Sequence, residues 1–109
     1  MSRAIQKAGD FMTDFEKLFA WYVDNAGVDV AWRFHMALDN SLIKLSIRPD
    51  LGHPRHFRHP KLRELRSFQV ENPFRNILIF YRTTDALLDA VRLMHGARNL
   101  SRRLREPLF

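Results

Sequence analysis

Residues 74–100 read Phe74-Arg75-Asn76-Ile77-Leu78-Ile79-Phe80-Tyr81-Arg82, then Thr83-Thr84-Asp85, then Ala86-Leu87-Leu88-Asp89-Ala90-Val91-Arg92-Leu93-Met94, then His95-Gly96-Ala97-Arg98-Asn99-Leu100. Two short apolar runs divided by three small polar residues predict an antiparallel hairpin. Ile77, Ile79, Leu87, Val91 and Leu93 are its expected core residues, and the Arg and His residues its expected working surface.

The segments before it extend that sheet. Leu65–Val70 alternates Leu65/Ser67/Gln69 with Arg66/Phe68/Val70, the period of a half-buried strand. Glu71-Asn72-Pro73 is a turn into the hairpin. Strands joined by such short turns favour an antiparallel meander. Upstream, Phe11, Phe15, Leu18 and Tyr22 recur at helical spacing, widened by Phe19 and Val23. A helix is expected from an Asp10 cap to about Asn25. Gly27 ends it, because glycine readily takes the conformation needed beyond a helix C-terminus. Val28, Ala31, His35, Leu38, Leu42 and Leu45 form a second stripe, which Pro49 terminates at Arg48. So short a break implies an antiparallel helical hairpin. Ala4–Ala8 reads as a short first strand, and Asn99–Arg105 as a short C-terminal helix. Trp21, Trp32 and Phe34 lie partly off the stripes and need either the sheet or a partner to cover them; packing against the sheet is the favoured expectation. The fold class is α+β: a helical hairpin on a small antiparallel sheet, as one domain over residues 1–109.

Composition narrows function. Without cysteine, disulfides and thiolate zinc sites are excluded. No apolar run approaches the roughly 18–20 residues of a membrane span, and Met1–Lys7 lacks the apolar core of a signal peptide. A cytoplasmic protein with no membrane partner is expected. The net charge of +6 is unevenly spread. Residues 1–50 carry six Lys/Arg and seven Asp/Glu; residues 51–109 carry twelve and five, and all but Lys61 of those twelve are Arg. The second half should attract a polyanion or an acidic protein.

Local motifs are few. His53, His56 and His59 recur every third residue, a spacing that brings zinc to mind. Pro54 and Pro60 oppose a helix there, and Arg55 and Arg58 oppose a cation, so a basic loop is the better account. No Gly-rich phosphate loop, HExxH or GxSxG occurs, and neither cofactor nor metal is expected. His95 is a candidate acid or base. Arg75, Arg82, Arg92 and Arg98 are candidates to clamp a phosphate. A histidine bonding backbone at a strand end is the structural alternative for His95.

The chain resembles the RelE/ParE superfamily of toxins from bacterial type II toxin–antitoxin systems. The match is carried by Pro49, Leu51 and Gly52, by Leu65-Arg66-Ser67-Phe68, by Pro73–Arg82 and by Val91–Leu100. The His-Gly-Ala-Arg ending is most similar to the ParE-like branch. The resemblance implies a toxin neutralised by an acidic cognate antitoxin. Its ParE-like members inhibit DNA gyrase; the alternative, RelE-like activity, is ribosome-dependent cleavage of mRNA. RelE-like catalysis leans on several Lys/Arg and often a C-terminal Tyr, and here no Tyr follows Tyr81 and no Lys follows Lys61. Gyrase inhibition is therefore the expected activity. His95, Arg75, Arg82 and Arg92 would be catalytic only in a ribonuclease. Arg66, Arg75, Arg82, Arg92, Arg98 and Arg102 are the expected contacts to target or antitoxin.

Overall fold

The computed structural model describes residues 2–96. The expected C-terminal helix therefore lies outside the described residues. A short strand β1 (Ala4–Lys7) leads directly into helix α1 (Gly9–Ala26), followed by α2 (Val28–Ile47). A 3-10 turn (Pro49–Leu51) precedes the two-residue strand β2 (His53–Pro54), and a second (Pro60–Leu62) precedes β3 (Arg66–Gln69). The hairpin β4 (Ile77–Thr83) and β5 (Leu87–His95) follows. Among the described residues the sheet runs β1-β5-β4-β3-β2.

The meander β3-β4-β5 is antiparallel as the alternation predicts. The sheet as a whole is mixed, because β1 pairs parallel to β5. A parallel pairing needs a long crossover, and the helical hairpin is part of the one that joins β1 to β5. Gly27 supplies the break between the helices at φ +99°, a value that favours glycine. Its N–H donates to the Tyr22 carbonyl. The helices run antiparallel: Phe15 stacks on Phe34, and further along α1 Phe19 meets Trp32 edge-on.

Several local expectations are corrected. Asp10 sits in the first turn of α1 and is not its cap; that position is Ala8, which has no side chain to offer. Phe74–Asn76 forms a turn, with the N–H of Ile77 bonded to the Phe74 carbonyl, so β4 starts three residues later than its apolar run. Trp21 and Trp32 are 56% and 53% exposed, whereas Phe34 is buried in the core.

The main core lies between the helices and one face of the sheet. Phe11, Phe34, Leu38, Leu42 and Leu45 meet Ile77, Ile79, Tyr81, Leu88, Ala90 and Leu93 there. Leu87 is exposed and Val91 packs on the opposite face, contrary to the expected phase. The cause is a bulge. Phe80 pairs with Arg92 but Tyr81 pairs with Ala90, which leaves Val91 as an extra residue. A bulge of this kind shifts the side-chain alternation by one. Leu88 and Ala90 before it, and Leu93 after it, consequently face the same core. On the opposite face, Leu62, Leu65, Phe80 and Met94 form a smaller cluster with Phe57 and Leu78.

Tyr81 locks the turn after α2. Its hydroxyl donates to the Pro49 carbonyl at 2.6 Å and accepts from the Gly52 N–H at 2.9 Å. A Cβ at position 52 would collide with this hydroxyl and ring, so glycine is required there for space. Burial pushes the Tyr81 phenol above its ordinary pKa, against the lowering effect of the bond from Gly52. No helix among the described residues is long and apolar enough to cross a membrane.

Candidate target- and partner-binding surface

β1 covers β5 only as far as Ala90. Beyond that point the edge of β5 would present unpaired backbone groups. The Asp14 carboxylate, on α1, closes this gap. It accepts from the Leu93 N–H at 2.9 Å and from Arg92 through Nε at 2.7 Å and a terminal nitrogen at 3.1 Å. Both side chains are more than nine-tenths buried. Arg92, expected at the working surface, is thus turned inward and bound by a bidentate pair. Nothing in the helical stripe singles out Asp14; it falls between Phe11 and Phe15 and reads as a polar residue among apolar neighbours.

The remaining candidates are distributed along the hairpin. His95 closes β5 opposite Ile77 and is exposed. It lines a largely apolar groove of about 240 Å³ with Leu18, Trp21 and Tyr22. Burial raises the Tyr22 phenol pKa. Arg75 lies at the same end of the hairpin, exposed, with its guanidinium donating to Gln69 Oε1 at 3.1 Å. Arg82 lies at the other end, five residue pairs from His95 in β4, or about 16 Å along the strand. It donates to the Lys61 carbonyl at 2.8 Å. Arg66 donates to the Gly52 carbonyl at 2.8 Å. Arg98 and Arg102 lie outside the described residues.

A second groove, of about 260 Å³, opens beside β3 and is lined by Leu51, His53, Arg55, Ser67, Phe68, Gln69 and Leu78. Arg55 is held there by its Nε bond to Ser67 Oγ at 2.7 Å. The Arg75 guanidinium reaches the rim through Gln69. These side chains bring positive charge and amide groups to one place, chemistry suited to a carboxylate or a phosphate. Neither Arg55 nor Gln69 stands out in the sequence. The pairing of His53 with Ser67 is what folds the basic segment back over β3. Among the described residues no group of three or more His, Cys, Asp or Glu is arranged to hold a metal ion. His59 accepts instead from the Lys61 N–H through Nδ1.

No protein-family model matches the chain, and no curated protein matches it significantly. Solved structures match it in architecture. A chain from the structure of the chromosomal ParDE TA system of P. aeruginosa superposes with a TM-score of 0.70 at 14% identity, covering 88% of this chain and 98% of that one. A chain of the E. coli DinJ-YafQ complex gives 0.53 at 23% identity, covering 85% and 92%. A YafQ mutant from E. coli gives 0.52 at 23%, covering 91% and 97%. Identities this low carry the architecture alone, and the chain accordingly has the fold of the RelE/ParE-type toxins.

Proposed function

We propose that this chain is the toxin of a type II toxin–antitoxin module, held inactive by an acidic antitoxin and acting, when free, by binding and inhibiting DNA gyrase. The observation that carries the non-enzymatic reading is the scatter of the candidate acid–base group, His95, and the phosphate-clamping arginines. Cleavage of a phosphodiester needs its proton-transfer group and its phosphate-clamping groups within hydrogen-bond reach of one reacting centre. Here Arg92 is bound to Asp14, and His95 and Arg82 occupy opposite ends of the hairpin. A toxin that works by occupying a protein target needs no such convergence. The arginine-rich second half and the groove around Arg55 suit the acidic segment of an antitoxin. The likeness to ParDE and DinJ-YafQ chains agrees with an antitoxin partner.

The test is supercoiling by purified gyrase with the toxin added. Inhibition, relieved by antitoxin, is expected. Undiminished supercoiling at excess toxin would sink the proposal.

One observation favours ribosome-dependent mRNA cleavage as the second reading: His95 and Arg75 share one end of the hairpin. In that case His95→Ala abolishes toxicity and codon-specific cuts appear in translated mRNA. Under gyrase inhibition, growth arrest survives His95→Ala and mRNA stays intact.

A further inference from the structure

The chain leaves β5 at the mouth of a groove. His95 ends the strand and also walls the largely apolar groove formed with Leu18, Trp21 and Tyr22 of α1. Gly96 then bends the backbone out of the strand at φ +83°, with its N–H on the Asn76 carbonyl at 3.1 Å. Trp21 is exposed beside the groove. A large aromatic ring at the rim of an apolar groove marks a contact surface.

The next residues of the same chain have the composition of a cover. Residues 97–109, outside the described residues, read Ala97-Arg98-Asn99-Leu100-Ser101-Arg102-Arg103-Leu104-Arg105-Glu106-Pro107-Leu108-Phe109. Leu100 and Leu104 stand four apart, the spacing that puts two side chains on one side of a helix. Asn99 is a favoured residue where a helix starts, and Pro107 cannot continue one. The polar remainder is cationic, with Arg98, Arg102, Arg103 and Arg105 against Glu106. Helix α1 is the opposite. With Asp14 bound to Arg92, it still presents exposed Asp10, Glu16 and Asp24 against Lys17. The segment thus complements α1 in both charge and apolar surface. The tether decides the occupant. Four residues from Gly96 to Leu100 span at most about 14 Å, and the walk starts at the groove's own wall. So short a link gives the segment an effective concentration on the order of millimolar, far above that of a separate chain in dilute solution.

We infer that residues 97–109 form a strap across the groove: a short helix over Asn99–Arg105 seats Leu100 and Leu104 against Leu18, Trp21 and Tyr22 of the same chain. Seated there, the strap stands between His95 and solvent and governs access to that imidazole. This inference does not rest on the gyrase proposal: a chain that spares gyrase still closes its groove, and a chain with an open groove can still inhibit gyrase.

Nuclear Overhauser contacts in the full chain, with its leucine methyls labelled, test the strap. Contacts are expected between the Trp21 or Tyr22 ring and the methyls of Leu100 or Leu104. In a mixture of labelled and unlabelled chains, none should pass from one chain to another. Leu100→Asn/Leu104→Asn removes the apolar contact without altering charge. It touches none of the core residues around Phe34 and Ile79, so the fold, checked by circular dichroism, should persist. In that variant the ring-to-methyl contacts should vanish, and carbethoxylation of His95, read by peptide mass, should speed up severalfold. Leu108→Asn, beyond Pro107, should leave the reactivity of His95 unchanged. Absence of ring-to-methyl contacts in the full chain overturns the inference. So do contacts that pass only between chains, which would give the groove to a second copy, contacts that form only when an antitoxin is added, or a reactivity of His95 that the double variant leaves unchanged.

Discussion

The two faces of the sheet are held by different forces. The face under the helices is closed by interlocking apolar side chains, and its one buried ion pair among the described residues joins Asp14 to Arg92. The other face carries a small apolar cluster beneath a segment whose only helical turn is Pro60–Leu62. Arginines fasten that segment: Arg55 bonds Ser67, Arg66 bonds the Gly52 carbonyl, and Arg82 bonds the Lys61 carbonyl. A backbone with little regular structure needs donors for its carbonyls, and the guanidinium fork supplies several from one side chain. Part of the arginine excess is thus structural, and an arginine count overstates the surface free to meet a ligand.

The largest expected effect lies at the exception on the apolar face. Asp14→Ala leaves Arg92 buried without its carboxylate and should lower stability by about 3–5 kcal/mol in urea unfolding. The double change Asp14→Leu/Arg92→Met should recover only part of that loss, because the Leu93 N–H still lacks its acceptor. A single-variant loss below about 1 kcal/mol would mean that the pair is not holding α1 to the edge of β5.

Next comes a direct contrast between the faces. Leu38→Ala opens a cavity between helix and sheet, where relaxation is limited, and should cost about 4 kcal/mol. Leu62→Ala lies under a segment that can settle inward, so about 2 kcal/mol is expected. Equal losses would erase the distinction drawn between the two faces.

The smallest effect concerns Tyr81. Tyr81→Phe removes the bonds to Pro49 and Gly52 and should cost about 1–2 kcal/mol. Its pKa in the folded state is raised, as is that of Tyr22. The folded protein therefore retains these protons at a pH where the unfolded chain has lost them. The stability so linked is fully present below about pH 10, the ordinary phenol value, and is lost as pH rises through the folded-state values. Alkaline unfolding curves followed by tyrosinate absorbance should show this loss, and Tyr81→Phe should reduce it. A stability flat from about pH 9 to about pH 12 would contradict the burial of both phenols.

Much of the fold was legible because it is written in local periodicity. The 4-3-4 spacing of Phe11, Phe15, Leu18 and Tyr22 locates α1, Gly27 marks the break, and the alternation around Ser67 locates β3. The parts that were not legible depend on contacts between distant segments. Asp14 has a role only because β1 is too short to cover β5, a fact of pairing between residues far apart in the chain. β1 itself lacks any buried position, so no alternation betrays its direction. Phe34 is core and Trp32 is surface although they stand two residues apart. The candidate site was less legible than the fold. Arg75, Arg82, Arg92 and His95 share a hairpin in sequence, but the bulge and the strand length separate them in space.

The bulge at Val91 has an evolutionary side. It divides β5 into two half-strands whose inward and outward positions are out of step. The side of the sheet that receives His95, beside Leu18, Trp21 and Tyr22 of α1, is fixed by its pairing with Ile77. Deleting Val91 would bring the two halves into step. Arg92 would then follow Ala90 directly, and Leu93, Met94 and His95 would keep the faces set by their partners Ile79, Leu78 and Ile77. Loss of that single codon would therefore straighten β5 and leave its histidine on the helical side, whereas loss of a codon after the bulge would carry His95 to the other face.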